Sequence, residues 1–183
     1  MEYPLAYLIT FTSYGTWLHG DKRNSVNDEH NRVGEEFVPR NSGLNTKEQS
    51  LLKHPPIKLN ASCRNAVLQA ILEVCKFRGW FAHSVHVRAN HVHIVVSGQE
   101  KPEKMMRDFK GYATRAIKKS PEISAEKYWT KHGSTKYIRT KARLHSSIEY
   151  VKNGQGNIMS YGATEPQASA RGNNKRALSV SDG

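Results

Sequence analysis

Two hydrophobic periods follow one another along the chain, and they predict its secondary structure. A period of two among β-branched and aromatic residues indicates strands, whereas apolar residues spaced i, i+3 and i+4 indicate amphipathic helices. In chain order the sequence predicts a strand at 5–14, a helix at 60–78, strands at 81–88 and 91–97, a helix at 102–119, a strand or hairpin at 128–139 and a helix at 141–152. This order is close to a split βαβ arrangement, so we predict an α+β, ferredoxin-like sandwich with a central antiparallel sheet and helices.

Two stretches of the chain show neither period. Residues 19–58 are polar and contain several glycines and prolines, which predicts an irregular insertion in a domain that spans residues 1–155. Beyond Gly154 the composition shifts to Gly, Ser, Ala, Asn and Gln, which predicts a disordered C-terminal tail over residues 156–183. We therefore expect one folded domain with appendages.

Composition disfavours membrane and secreted proteins. The mean hydropathy is −0.68, and no apolar run reaches the roughly 18 residues that a membrane span needs. The first four residues do not begin a basic segment followed by an apolar one, so no secretory signal is expected. Cys63 and Cys75 have the spacing of neither a zinc site nor a disulfide framework, which indicates reduced intracellular thiols.

The positive charge of the chain is concentrated in one region. The net charge is +12, and residues 100–152 alone hold 14 basic and 6 acidic side chains, a net charge of +8. Such a concentration is typical of proteins that bind a polyanion, of which nucleic acid is the commonest. A basic surface without a specific partner is the alternative interpretation.

The segment from Asn90 to His93 holds the clearest chemical pattern. Because strand side chains alternate, His91 and His93 are expected on one face of the strand and Val92 on the other. Two adjacent imidazoles can bind a divalent cation and leave positions open for water or substrate oxygens. The alternative is a pair of exposed or hydrogen-bonded histidines, because no third ligand is evident nearby.

Tyr112 lies at the edge of the apolar arc of the second predicted helix. Lys104, Arg115 and Lys119 occupy the adjoining side, so the ring can rest on the core while its hydroxyl stays among cations. Packing alone also explains this position. A phenol has a pKa of about 10 and needs nearby cations or a metal-activated phosphate to act as a nucleophile.

Three basic residues are candidates for DNA-phosphate contacts. Lys110 precedes Tyr112 by two positions, Arg115 belongs to the basic rim of the same helix, and Arg88 ends a predicted strand. A solvated surface position is the alternative for Arg88.

In this order, the residues resemble the HUH superfamily of single-tyrosine transposases, and more specifically their REP-associated tyrosine transposase relatives. The resemblance covers about residues 3–155. Its motifs lie at residues 8–18, 78–80, 87–93, 108–113 and 129–134.

The resemblance implies a DNA transposase and single-strand endonuclease that cleaves and rejoins hairpin-containing DNA. The expected partner is single-stranded or hairpin DNA, and the expected cofactor is Mg²⁺ or Mn²⁺ held by His91 and His93. Tyr112 is the residue expected to attack the scissile phosphate and form a 5′-phosphotyrosine. We expect a monomer or homodimer in the cytoplasm, associated with the nucleoid and with no membrane partner.

One position departs from the pattern of the family. Several relatives have a third metal ligand one turn after the tyrosine, where this chain has Ala116. Asp108 and His86 are candidate substitutes. The departure supports the alternative hypothesis of a non-catalytic, domesticated nucleic-acid-binding protein. A third hypothesis, a metalloenzyme acting on small molecules, is disfavoured by the basic region.

Overall fold

The computed structural model describes residues 3–16, 52–119 and 122–164, which form a five-stranded sheet and three helices. In chain order the elements are β1 (Ala6–Thr12), α1 (Ala61–Arg78), β2 (Phe81–Val87), β3 (His91–Ser97), α2 (Pro102–Lys118), β4 (Ser134–Ile138), α3 (Lys141–Asn153) and β5 (Ser160–Gly162). The strand order is β4-β1-β3-β2-β5, and all neighbouring strands are antiparallel. The predicted α+β fold with a central antiparallel sheet is confirmed.

Local signals set the ends of the helices. The Asn60 side chain accepts a hydrogen bond from the backbone N–H of Cys63 and so caps α1, while Gly79 ends that helix with a left-handed φ of 67°. Pro102 occupies the first turn of α2, where its missing N–H would have had no partner within the helix. The Thr140 side chain caps α3.

The alternation of side chains along β3 gives the sheet two unlike faces. Val92, Ile94 and Val96 join the large hydrophobic core beneath α1 and α2, which we call the α1/α2 face. His91 and His93 point to the opposite side, which α3 covers and which we call the α3 face. The core beneath α3 is small and comprises Ala6, Val95, Ile138 and Val151, with Leu8, Leu144 and Ile148 packed against it.

Two segments differ from the sequence prediction. Only residues 134–138 of the predicted 128–139 strand or hairpin pair along β1, and Trp129 makes an isolated bridge with Ser13. The tail predicted from residue 156 begins instead with ordered chain, because β5 pairs with β2. A three-residue strand is too short to show a hydrophobic period.

Other parts of these predictions fall outside the described chain. Residues 19–51 of the predicted insertion and residues 165–183 of the predicted tail lie outside the described residues. Among the described residues, no helix is long and apolar enough to cross a membrane.

Both cysteines lie in the large core as free thiols. Burial raises the pKa of Cys75 to about 12, and burial also raises the pKa of Cys63. The thiolate forms that react or bind metals are therefore disfavoured.

Ending the chain after Thr164 should leave its thermal unfolding nearly unchanged. The backbone N–H of Thr164 donates to the carbonyl of Ala82 at 2.9 Å, and this contact and β5 both remain. Ending the chain after Asn153 should lower the melting temperature by about 2–4 °C, as the loss of about 1 kcal/mol does in a domain of this size class. Circular dichroism measures both values, and equal losses in the two truncations would contradict the boundary.

Candidate functional site

His91 and His93 lie side by side at the centre of the sheet, on the α3 face. Their ring centroids are 4.8 Å apart. The two residues are only 8% and 4% exposed. Two imidazoles this close can supply nitrogen ligands to a single divalent ion.

Hydrogen bonds orient both rings. Nδ1 of His91 is 2.7 Å from Oδ1 of Asn90. An amide oxygen only accepts, so this contact places a proton on Nδ1 of His91. Nδ1 of His93 lies 2.7 Å from the Thr10 hydroxyl. Outer partners of this kind fix the direction of metal-binding histidines.

The turn that holds Asn90 is clamped by neighbouring backbone. The Asn90 carbonyl accepts hydrogen bonds from the backbone N–H of Ser13 at 2.9 Å and from the Ser13 hydroxyl at 3.2 Å. The carbonyl of Ala89 accepts from the N–H of Leu59 at 2.6 Å. These bonds hold the residue that orients His91.

The imidazole of His93 is neutral in the folded protein. Burial, and less strongly the neighbouring His91, lower the pKa of His93 to about 3, against a hydrogen bond with the Gln155 side chain that raises it. A neutral imidazole is the form that binds a metal ion. The same hydrogen bond shows that the amide of Gln155, just after α3, reaches the histidine pair.

Helix α3 brings Tyr150 to the histidines. The ring centroids of Tyr150 and His93 are 5.7 Å apart at an interplanar angle of 71°. Leu144, Ile148 and Val151 face the sheet, and Tyr150 lies at the edge of this apolar stripe. Its ring is held against His93, while 47% of the residue remains exposed to solvent.

Tyr112 lies on the other side of the sheet. It is partly buried against the large core on the α1/α2 face, and the guanidinium of Arg115 stacks over its ring at 4.3 Å. The expectation that Tyr112 shares a site with His91 and His93 is corrected, because the sheet separates them. The apolar face of α2 packs on the valine and isoleucine side of β3, so no residue of that arc reaches the histidines.

The ammonium group of Lys110 holds the loop that follows Trp129. Its Nζ donates to the carbonyls of Thr130, Lys131 and His132 at 2.8, 3.3 and 3.0 Å. It also lies 5.6 Å from the centre of the Phe11 ring. Burial lowers its pKa to about 8. Each ammonium hydrogen has a carbonyl partner, so the structure gives Lys110 a part in holding this loop, while its contact with DNA stays a prediction.

Of the three predicted DNA contacts, Arg88 is the one at the histidine pair. Its guanidinium donates to the carbonyl of Asn157 at 3.0 Å. Its charge also lowers the pKa of His93, although less than burial does. Arg115 lies on α2, so its predicted contact is separated from the histidines by the sheet. The basic region seen in the sequence is thus divided between both sides of the molecule.

Asp108 does not lie beside the histidine pair. It lies on α2 and pairs with Arg78 at 3.2 Å and with Lys104 at 3.8 Å. Ala116 lies on the same helix, so its lack of a donor atom has no bearing on the histidine pair. In the described ranges, no group of three or more His, Cys, Asp and Glu side chains is arranged to hold a metal.

His86 is beside His93 but has both ring nitrogens bonded to backbone. Its Nδ1 is 2.9 Å from the carbonyl of Val151, and its Nε2 accepts the N–H of Met159 at 3.1 Å. Burial lowers its pKa. The suggestion that His86 is the third ligand is therefore corrected. Unlike His86, the Gln155 amide has a hydrogen bond with His93 itself.

Tyr150 and Gln155 were not found from the sequence. The sequence nevertheless contains a signal for Tyr150. The apolar arc of α2 covers the valine and isoleucine side of β3, so a different helix has to cover the histidine side. The third predicted helix has a stripe of Leu144, Ile148 and Val151, with Tyr150 beside it. Gln155 lies beyond that helix, and no periodic pattern marks it.

Replacing Lys110 with Met should destabilise the fold. The substitution leaves three carbonyls without their donor, and we expect the free energy of unfolding to fall by about 1–3 kcal/mol. Lys118→Met, at the exposed end of the same helix, should stay within about 0.5 kcal/mol of the original chain. Urea denaturation measures both. A Lys110→Met protein of unchanged stability and weakened DNA binding would restore the phosphate-contact hypothesis.

Comparisons with known proteins address the family. A family model described as "Transposase IS200 like" matches residues 56–153, more than half of the chain. A solved structure of a REP-associated tyrosine transposase bound to a REP hairpin is similar at 14% identity and a TM-score of 0.46. That match covers 82% of this chain and 66% of the other, slightly less than two thirds of its length. No curated protein matches the chain.

The family match includes the strand with His91 and His93 and the helix with Tyr150. It confirms the resemblance to single-tyrosine transposases drawn from the ordered motifs. The chain belongs to the IS200-like transposase family.

Proposed function

We propose that this transposase cleaves and rejoins single-stranded or hairpin DNA, with Tyr150 as its nucleophile. The observation that supports this assignment is the packing of the Tyr150 ring against His93 on the α3 face. Tyr150 takes the role first expected of Tyr112, because a nucleophile has to stand within reach of the groups that activate the phosphate.

The donor atoms at this site suit a divalent ion such as Mg²⁺ or Mn²⁺. His91 and His93 offer two imidazoles, of which His93 is neutral through burial. Gln155 adds an amide whose oxygen is a hard donor. These three side chains would hold the ion. When bound, the ion polarises the scissile phosphate and stabilises the negative charge that develops on it.

The side chains of the chain itself account for the transfer step. The Tyr150 oxygen forms a bond to phosphorus as the bond from phosphorus to the 3′ oxygen breaks, giving a 5′-phosphotyrosine and a 3′-hydroxyl. The phenol proton passes to solvent, to which Tyr150 is open, and the departing 3′ oxygen takes a proton from solvent. Attack by another 3′-hydroxyl reverses the step and rejoins the strands. Arg88 places a positive charge beside the reacting phosphate.

The substrate class follows from charge and family together. The net charge of +12 favours a polyanion, and the ordered motifs resemble enzymes that act on single-stranded or hairpin DNA. Because Lys and Arg release counterions on binding, affinity should depend steeply on salt.

The hypothesis of a non-catalytic nucleic-acid-binding protein loses its main support. It rested on Ala116, which the structure places on α2 and away from the histidine pair. The two hypotheses now differ chiefly in whether a covalent bond to DNA forms.

Tyr150→Phe should abolish the covalent protein–DNA adduct while DNA binding is retained. The substitution removes one oxygen and keeps the ring that packs on His93. Tyr112→Phe is the matched control and should form adduct at the original rate. The assay incubates each protein with labelled hairpin oligonucleotides and Mn²⁺ and separates the products on a denaturing gel. Adduct lost in Tyr112→Phe and kept in Tyr150→Phe would reverse the assignment.

Replacing both His91 and His93 with Ala should also eliminate the adduct. DNA affinity should stay within about threefold of the original, because the phosphate contacts are spread over many cations. Excess EDTA should reproduce the loss, and added Mn²⁺ should restore activity to the unmodified protein only. Cleavage that continues in excess EDTA would rule out the metal assignment.

A further inference from the structure

His86 is a buried histidine for which the proposed chemistry has no use. It pairs with His93 across β2 and β3 and is 0% exposed. A carbonyl oxygen only accepts and a backbone N–H only donates. The bonds to Val151 and Met159 therefore define a neutral ring with its proton on Nδ1 and its lone pair on Nε2.

The two backbone partners of His86 are the ends of one segment, residues 151–159, which we call the Gln155 loop. It begins at the residue after Tyr150 and includes Gln155, whose side chain hydrogen-bonds to His93. The guanidinium of Arg88 holds the same loop at the carbonyl of Asn157. A single imidazole thus joins the start of the loop to its end.

Apolar packing between α3 and the sheet is limited, so it stabilises the position of the helix only weakly. Its fully buried residue is Val151, and its other apolar contacts are the partly buried Leu144 and Ile148. The large core beneath α1 and α2 has many more members. The hydrogen bond from His86 to Val151 is therefore a directional contact at the end of a weakly packed helix.

We infer that His86 is a positioning residue that fastens the end of α3 to the end of the Gln155 loop, and so keeps Tyr150 and Gln155 at the histidine pair. The inference rests on the proposed function of that site. A side chain that only fills space cannot replace it, because the position requires one donor and one acceptor. His86 acts on the proposed ligand Gln155 through the backbone that it holds. For scale, removing a direct partner of a metal ligand changes metal affinity by about 10–100-fold.

Three substitutions separate bonding from volume. His86→Leu fills space but leaves the Val151 carbonyl and the Met159 N–H without partners. His86→Asn keeps a short amide that reaches one of them, and His86→Gln offers a donor and an acceptor at greater reach. His83→Gln is the matched control, since His83 lies on the same strand and bonds to the Ser97 hydroxyl at 2.7 Å.

Calorimetric titration of the metal-free, full-length proteins with Mn²⁺ gives the first readout. We expect the affinity to fall about 10–100-fold in His86→Leu and His86→Asn, to return largely in His86→Gln, and to be unchanged in His83→Gln. Adduct yield should follow the same order, with hairpin affinity preserved. A folded His86→Leu or His86→Asn protein with unchanged Mn²⁺ affinity would overturn the inference, as would an equal loss in His83→Gln.

The original protein gives a second readout that needs neither activity nor a folded variant. Nuclear magnetic resonance should show the His86 proton on Nδ1 and slow hydrogen exchange at the Met159 amide. A proton on Nε2, or a Met159 amide that exchanges like an exposed one, would overturn the inference. Absence of adduct from the original protein would instead count against the proposed function, and the Mn²⁺ series would still decide the role of His86.

Discussion

The side-chain alternation of β3 determines where every other part of the site can lie. Val92, Ile94 and Val96 have to be covered by apolar surface, and α1 and α2 provide it. The histidines between them must then face the other side, where α3 is the covering helix. A shift of one residue in the pairing of this strand would exchange the faces and bury two imidazoles in the large core.

The two sides of the sheet are stabilised by different interactions. On the α1/α2 face, apolar burial dominates, and each large side chain removed from water contributes about 1.5–3 kcal/mol. On the α3 face the apolar cluster is small, and hydrogen bonds from Thr10, His86 and Arg88 supply much of the order. Under the proposed function, this division would place a polar substrate next to a rigid support.

Most of the fold was predictable because, in long helices and strands, the spacing of apolar residues shows which face is buried. The bounds of α1, β2, β3, α2 and α3 follow the sequence patterns closely. The sequence could not show which tyrosine lies beside His91 and His93 for a specific reason. Tyr112 and Tyr150 both stand at the edge of an apolar stripe, and periodicity does not say which side of a sheet a helix covers. The alternation of side chains along β3 separates the two tyrosines only once it is known which helices cover each face of the sheet. The partners of Lys110 and His86 depend on chain segments distant in sequence, so no local pattern shows them.

Under the proposed function, the division of basic residues between α2 and α3 would affect how a nucleic acid approaches. Helix α2 holds Lys104, Arg107, Arg115 and Lys118, and α3 holds Lys141, Arg143 and Lys152. Two positive patches on opposite sides of the molecule both attract a polyanion at long range. Their contributions to the electrostatic dipole of the protein partly cancel. The field therefore speeds encounter, within the roughly 8 Å screening length of physiological salt, without turning one side toward the strand. Orientation is decided after contact, by the shape and chemistry of the α3 face.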